Sequence, residues 1–203
     1  MPADTAKKPS RIQLKNRGII LDAALDVFST HGFRGATLDQ IAEAAGLSKP
    51  NILYYFGGKD DIHRTLLNAL LDVWLAPLVE MTDTDDPLDA IMDYVHRKLE
   101  MSWEMPRESR LFAGEVIRGA PRMATDLETG LKPLFDEKCA LIQRWVDDGR
   151  IAQVSPAHLI MSIWAVTQHY ADFEAQVGVL VGSGSQDDAR AHVDAMFRSL
   201  LTP

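Results

Sequence analysis

Apolar residues recur at helical spacing along almost the whole chain, and no run alternates in the manner of a strand. Ile19, Ala23 and Val27, with Ile20, Ala24 and Phe28 beside them, place a stripe on one face of a first helix. Gly32 ends it, with His31 near the negative end of its dipole. Thr37 then caps a short helix, LDQIAEAA, and Gln40 completes a capping box three residues on. Gly46 stops that helix. Ser48 caps a third, Pro50 sits where a first-turn residue can spare its N–H, and Gly57 and Gly58 end it. A long helix starts at Lys59 and runs through HRTLLNALLDVWLAPL, with a bend expected at Pro77.

Beyond it, residues 82–87 read as a polar turn. Helices are expected over 87–103 and 106–118, parted by Pro106. The chain breaks at 119–121, and Gly130 is expected to end a short helix. Residues 133–148 form the next, closed by Gly149. Ser155 and Pro156 open one helix through AHLIMSIWAVTQHYADFEAQV. Residues 178–184 read as a flexible loop, and 186–201 as the last helix. The pattern predicts an all-α protein without internal repeats, whose one soft boundary lies inside the helix that begins at Lys59.

Composition narrows the class. A chain of 203 residues that is 46% hydrophobic can build a substantial core and is too apolar for disorder. No window is apolar enough for long enough to span a bilayer, so no membrane association is expected. Residues 1–10 lack the apolar run of a signal peptide, and the single Cys139 cannot form an internal disulfide. Both features lead to the expectation of a cytoplasmic protein. The net charge of -8 argues against nucleic acid as a partner, but its distribution does not. Residues 1–64 hold nine Lys and Arg against seven Asp and Glu, a balance of +2 that leaves -10 for the remainder. A neutral-to-basic end that meets phosphate and an acidic body that avoids it would look like this, and so would charge segregated for solubility.

Residues 38–56 have the proportions of helix, tight turn and helix. Gly46 tolerates the positive φ that the turn needs, and Ile41 and Leu47 can pack the two helices together. The exposed face of the second helix presents Lys49, Asn51, Tyr54 and Tyr55. A major groove admits one helix, whose first turn reaches base edges. Asn pairs with adenine, Tyr and Ser suit phosphate, and Lys suits phosphate or guanine. Thr37 and Lys59 stand at helix starts, where backbone N–H groups favour a phosphate. The same residues would also serve as ordinary caps and a solvated face of a small helical core. The arm with Lys7, Lys8, Arg11, Lys15 and Arg17 admits two readings, a backbone or minor-groove contact and a solubilising tail.

Catalytic chemistry is poorly represented. His169 and Asp172 share a helical face with Glu174 nearby, which can be drawn as a base and its orienter or as a metal site. His158 lies three turns away from His169, too far to share an ion, so a hydrogen-bonded helix is the expectation. Cys139 lacks neighbours that would favour a thiolate. No Gly-rich phosphate loop or serine elbow occurs, and no catalytic residue, metal or cofactor is expected. A helical adaptor whose acidic body binds another protein is the remaining class.

The block ALDVFSTHGFRGATLDQIAEAAGLSKPNILYYFGGKDDI resembles the N-terminal domain of the TetR family of transcriptional regulators almost element by element. The matching features are Phe28, Gly32 and Phe33, Thr37, Ile41 and Ala42, AGLS at 45–48, LYYF at 53–56, and Lys59. Gly57, Gly58, Asp60 and Asp61 stand where serine and glutamate are commoner. The resemblance implies a dimeric repressor of near-palindromic double-stranded operators. It implies DNA contacts at Thr37, Ser48, Lys49, Pro50, Asn51, Tyr54, Tyr55 and Lys59. It further implies a flexible basic arm over 1–16, a helix-turn-helix domain over 17–63, and a helical ligand-binding and dimerisation domain over 64–203. Within that last domain Trp74, Trp103, Phe112, Trp164, Gln168, Tyr170 and Phe173 are candidate cavity residues; tryptophans at helical spacing also serve as core or dimer interface.

The segments DVWLAPL, ESRLFAGEVIRGAP, FDEKCALIQRWVDDGRI and PAHLIMSIWAVTQHYADFEAQV resemble the pyrimidine-utilisation (Rut) branch of that family. This implies a small-molecule effector, uracil or thymine, that weakens DNA binding, and control of pyrimidine or nitrogen metabolism genes. Gln168 is then expected to read the edge of the base, with Trp74 and Trp164 as stacking surfaces or walls. Lys98, Phe112 and Arg118 are further expected contacts.

Overall fold

A computed structural model describes residues 10–83, 86–182, 184 and 186–203. These residues form eleven α-helices and one π turn, with no strand among them, in keeping with the all-α expectation. Contacts divide the chain into two compact units, Met1–Leu66 and Leu67–Pro203.

The first unit holds α1 (Arg11–Gly35), α2 (Leu38–Ala45), α3 (Lys49–Tyr55) and residues 59–66 of α4 (Lys59–Glu80). Ser10 caps α1 through a capping box: its hydroxyl accepts from the Gln13 N–H at 3.2 Å, and Gln13 Oε1 accepts from the Ser10 N–H at 2.8 Å. Of the flexible arm expected over 1–16, the described residues 11–16 are helical instead. Lys7 and Lys8 lie outside the described residues. Gly32 leaves the helical conformation with φ 64° and ψ 170°, a region closed to residues with a Cβ. Ile20, Ala24, Phe28, Ile41, Ile52, Phe56 and Ile62 form the core. Each of the isoleucines and phenylalanines among them stabilises the unit by about 1.5–3 kcal/mol. His63, also buried, stands edge-on to Phe28 and Phe33, with centroids 4.7 and 4.9 Å away.

The second unit holds the rest of α4, then α5 (Pro87–Glu104), α6 (Pro106–Val116), α7 (Ala124–Asp126), the π turn Leu127–Leu131, α8 (Lys132–Asp147), α9 (Pro156–Asp172), α10 (Glu174–Leu180) and α11 (Gln186–Leu201). Helix α9 packs against α5, α6 and α8, and α11 packs against α5. Ile91, Tyr94, Val95, Leu99, Ile142, Trp145, Ile160, Ile163, Val193 and Phe197 fill the space between these helices. Helix α4 runs through Pro77, as expected, and extends to Glu80, two residues past the expected segment. Three local expectations change, at Gly130, Phe173 and Gly178. Gly130 ends no helix, because a π turn accommodates it and carries α7 into α8. The helix expected to continue through Val177 divides at Phe173 (φ -115°, ψ 28°). There Ser109 Oγ donates to the Asp172 carboxylate and Arg110 pairs with Glu174 at 3.0 Å, and both contacts tie α6 to the break. Gly178 belongs to α10, so the following loop is shorter than the expected 178–184. Ser183 and Ser185 of that loop, and Thr84 and Asp85 of the polar turn, lie outside the described residues. Among the described residues no helix is long and apolar enough to cross a membrane.

Candidate nucleic-acid interface and effector pocket

In the first unit, local caps set the helix-turn-helix. Thr37 accepts from the Gln40 N–H at 3.2 Å, and Gln40 Oε1 accepts from the Thr37 N–H at 2.8 Å. Gly46 takes φ 64° and ψ 28° between α2 and α3, and Ser48 Oγ accepts from the Asn51 N–H at 3.4 Å. Ile41 and Ile52, both fully buried, face the core, so the opposite side of α3 is left to solvent. That side carries Ser48, Lys49, Pro50, Asn51 and Tyr54, with Thr37 also exposed. Lys49 Nζ pairs with Asp39 at 3.0 Å, but both groups are exposed and such a pair exchanges readily for another anion.

Two expected DNA contacts sit differently. Tyr55 is half-buried; its hydroxyl accepts from Asn16 Nδ2 at 2.9 Å and its carbonyl accepts from Arg17 at 2.9 Å. Lys59 turns inward. Its ammonium donates to the Phe33 and Ala36 carbonyls, each at 2.7 Å, and lies 4.5 Å from the centre of the Phe33 ring. It therefore satisfies carbonyls at the end of α1. Sequence reasoning gave no role to Gln13 or Asn16 on α1, whose side chains reach the tyrosines of α3.

In the second unit, three expected ligand residues from three helices meet. Trp74 of α4 is buried, with its indole centroid 5.2 Å from that of Phe112 on α6. Lys98 of α5 is 5% exposed, and its Nζ lies 4.7 Å from the centre of the Trp74 ring. Burial pulls the Lys98 ammonium down from 10.5 to about 8. Trp74 Nε1 is buried without a hydrogen-bond partner among the described residues. The cluster thus holds two donors, an ammonium that makes no hydrogen bond among the described residues and an indole N–H, against aromatic surface.

The other expected contacts fall elsewhere. Trp164 Nε1 donates to the Tyr94 hydroxyl at 2.6 Å, and the Trp164 ring centroid lies 5.9 Å from that of Phe135. No ring contact joins Trp164 to Trp74 among the described residues. Gln168 is half-buried one turn further along α9. Arg118 is exposed and donates to the Gly114 carbonyl. Trp103 and Tyr170 line a cleft of about 490 Å³ that also receives Glu174 and Gly178, and Phe173 is exposed. Tyr94, absent from the sequence reading, is buried, which pushes its phenol up to about 12.

The alternative chemistry finds no constellation. His158 is exposed, His169 stacks on Phe173 with centroids 4.8 Å apart, and Asp172 and Glu174 have partners on α6. No group of three or more metal-capable side chains occurs among the described residues. Burial raises the Cys139 thiol.

The family profile described as "Bacterial regulatory proteins, tetR family" matches residues 20–66, and that described as "YcdC-like protein, C-terminal region" matches residues 67–201. The HTH-type transcriptional regulator RutR of Escherichia coli (strain K12) is 48% identical over 91% of this chain and 87% of its own. The HTH-type transcriptional repressor SCO4008 of Streptomyces coelicolor is 33% identical over 81% of this chain and 83% of its own. Among solved structures, the ketosteroid transcriptional regulator KstR2 of Mycobacterium tuberculosis superposes with a TM-score of 0.76, at 19% identity over 97% of both chains, and shares the fold. The solvent-facing side of α3, framed by the caps at Thr37 and Ser48, is thus the helix-turn-helix of a known lineage: the chain belongs to the TetR family and is a DNA-binding transcriptional repressor, not an enzyme.

Proposed function

We propose that this repressor binds a near-palindromic operator as a homodimer, and that a small pyrimidine base, uracil or thymine, bound around Trp74, Lys98 and Phe112, weakens that binding. The observation that carries the effector is the pair of buried donors. A buried polar group without a partner costs about 1–3 kcal/mol, more when charged, so such groups are retained where a ligand answers them. The carbonyl oxygens of a planar base are matched acceptors, and Trp74 and Phe112 supply the flanking aromatic surface. The likeness to RutR over most of both chains supports the same reading. Gln168, a half-buried amide on α9, remains the proposed reader of the base edge, and Trp164 a proposed wall.

On the DNA side, Lys49, Asn51 and Tyr54 are the proposed reading residues, with Thr37, Ser48 and Pro50 placing backbone against phosphate. Tyr55 acts from a half-buried position. Two-fold symmetry of a dimer would impose an inverted repeat on the operator. The regulated genes are then those of pyrimidine or nitrogen metabolism.

Titration calorimetry with uracil, thymine, cytosine and adenine tests the effector. Heat is expected for uracil or thymine and none for adenine; silence from both uracil and thymine would remove the proposal. Selection of duplexes from a random pool, with and without uracil, tests the rest. An inverted repeat recovered only without uracil is the expected result. Sedimentation of the protein on the selected duplex then gives its stoichiometry, expected to be two chains per repeat.

A further inference from the structure

The side chains of Gln13, Asn16 and Arg17 lie at i, i+3 and i+4 on α1, one face of one helix. All three reach the end of α3. Asn16 Nδ2 donates to the Tyr55 hydroxyl at 2.9 Å. Arg17 donates to the Tyr55 carbonyl at 2.9 Å, and its guanidinium carbon lies 4.1 Å from the centre of the Phe56 ring. Gln13 Nε2 donates to the Tyr54 hydroxyl at 3.2 Å. The two phenol rings meet edge to face, with centroids 5.0 Å apart.

The direction of these bonds matters more than their number. Gln13 Oε1 is already committed to the Ser10 N–H, so the α1 capping box settles which end of the amide faces Tyr54. That end is an NH2, which can only donate. The Tyr54 hydroxyl therefore accepts from α1, and its own proton is directed elsewhere. The Tyr55 hydroxyl, which accepts from Asn16, is left in the same state. A phosphodiester offers only acceptors. Two phenols held as donors suit it, whereas freely rotating hydroxyls would have to be ordered on binding. Tyr54 is 70% exposed, so nothing in the core orders it instead.

We propose that Gln13, Asn16 and Arg17 are positioning residues for DNA binding: they hold Tyr54 and Tyr55 so that both phenols present an O–H to operator phosphate. This rests on the reading that α3 faces DNA. It also gives the first two turns of α1 a function in the folded protein, in a segment whose sequence reads as an arm.

The test is a pair of double-mutant cycles on the full chain. The probe is the tightest duplex recovered from a random pool, with a scrambled duplex as control. Gln13→Met keeps the length and apolar stem but removes the donor; Tyr54→Phe removes the hydroxyl. Operator affinity is expected to fall roughly 3- to 10-fold for each, the range for one hydrogen bond. The double variant should be no weaker than Tyr54→Phe alone. Asn16→Leu and Tyr55→Phe should behave the same way. Thermal unfolding of Gln13→Met should be nearly unchanged, since its bond to Tyr54 is exposed. Two results overturn the proposal. One is losses that multiply in the double variants, because Gln13 and Asn16 would then act independently of the tyrosines. The other is single variants that bind as wild type. Lys49→Ala and Asn51→Ala separate the causes. If they weaken binding while the α1 variants do not, the α1 clamp alone fails; if they too are silent, α3 is not the reading helix.

Discussion

Replacing Lys98 with methionine should make the protein more stable and less able to sense its effector. Lys98 is 5% exposed and its ammonium lies over the Trp74 ring. A shift from 10.5 to about 8 corresponds to about 3 kcal/mol of penalty on the charged form. The cation–π contact with Trp74 offsets about 2 kcal/mol of that at most, so Lys98→Met should gain roughly 1–3 kcal/mol at pH 7. The sign with pH follows from linkage. Below about pH 8 the lysine is protonated in both states, and the folded state carries the full penalty. Between about pH 8 and 10.5 the folded protein has released this proton while the unfolded chain still holds it, so wild-type stability climbs relative to the variant. Above 10.5 the difference is gone. Urea unfolding of both proteins at pH 7, 8.5 and 10 measures it, and calorimetry with uracil at pH 7 measures the other half. Loss of a hydrogen bond from a charged donor should weaken uracil roughly 10- to 100-fold. The reasoning is refuted if Lys98→Met is the less stable protein at pH 7. It is refuted equally if the stability difference does not shrink as the pH approaches 10.5.

Three further outcomes are expected. Lys59→Met should destabilise the protein by about 2–4 kcal/mol in thermal unfolding, as two carbonyl acceptors lose a charged donor. Operator affinity well below the melting point should then fall less than about tenfold; the reverse result, unchanged stability and a large affinity loss, would restore Lys59 as a phosphate contact. Gly46→Ala meets no atom within 4 Å but must adopt φ 64°, so it should cost about 1–2 kcal/mol through the backbone alone. Lys49→Ala should lower the slope of log affinity against log salt by about 1 per reading head, the signature of one phosphate contact.

What could be read from the sequence was local chemistry. The Thr37 and Gln40 box, the turn at Gly46 and the Ser48 cap each involve residues within a few positions, and all three occur as expected. What escaped depends on partners far along the chain. Lys59 stands at a helix start, which suggested phosphate, yet its acceptors are 23 and 26 residues away. Spacing of four paired Trp164 with Gln168, but it could not reveal that Tyr94, 70 residues earlier, occupies the Trp164 N–H. Trp74, Lys98 and Phe112 were named from resemblance as separate candidates, and packing of α4, α5 and α6 brings them together. Gly130 misled because glycine signals a stop in an α-helix, whereas a π turn keeps its backbone bonded through the extra residue.

The charge pattern also takes on a different meaning. A balance of +2 in the first 64 residues suggested an end drawn to phosphate by its field. Two of those cations, Arg17 and Lys59, instead make hydrogen bonds to backbone carbonyls and lie against aromatic rings, and Lys49 is paired with Asp39. Their charges still contribute to the field, but on the exposed face of α3 itself Lys49 is the cation. Under the proposed reading, directed donors then weigh more than bulk charge on this face: the Lys49 ammonium once it leaves Asp39, the Asn51 amide, and the phenols that α1 is proposed to order. The second unit follows the same logic, with Lys98 and Trp74 held as donors beside aromatic surface and without an acceptor. The α3 donors are exposed and hydrated, whereas the buried pair carries a cost in stability that a ligand rich in acceptors would recover.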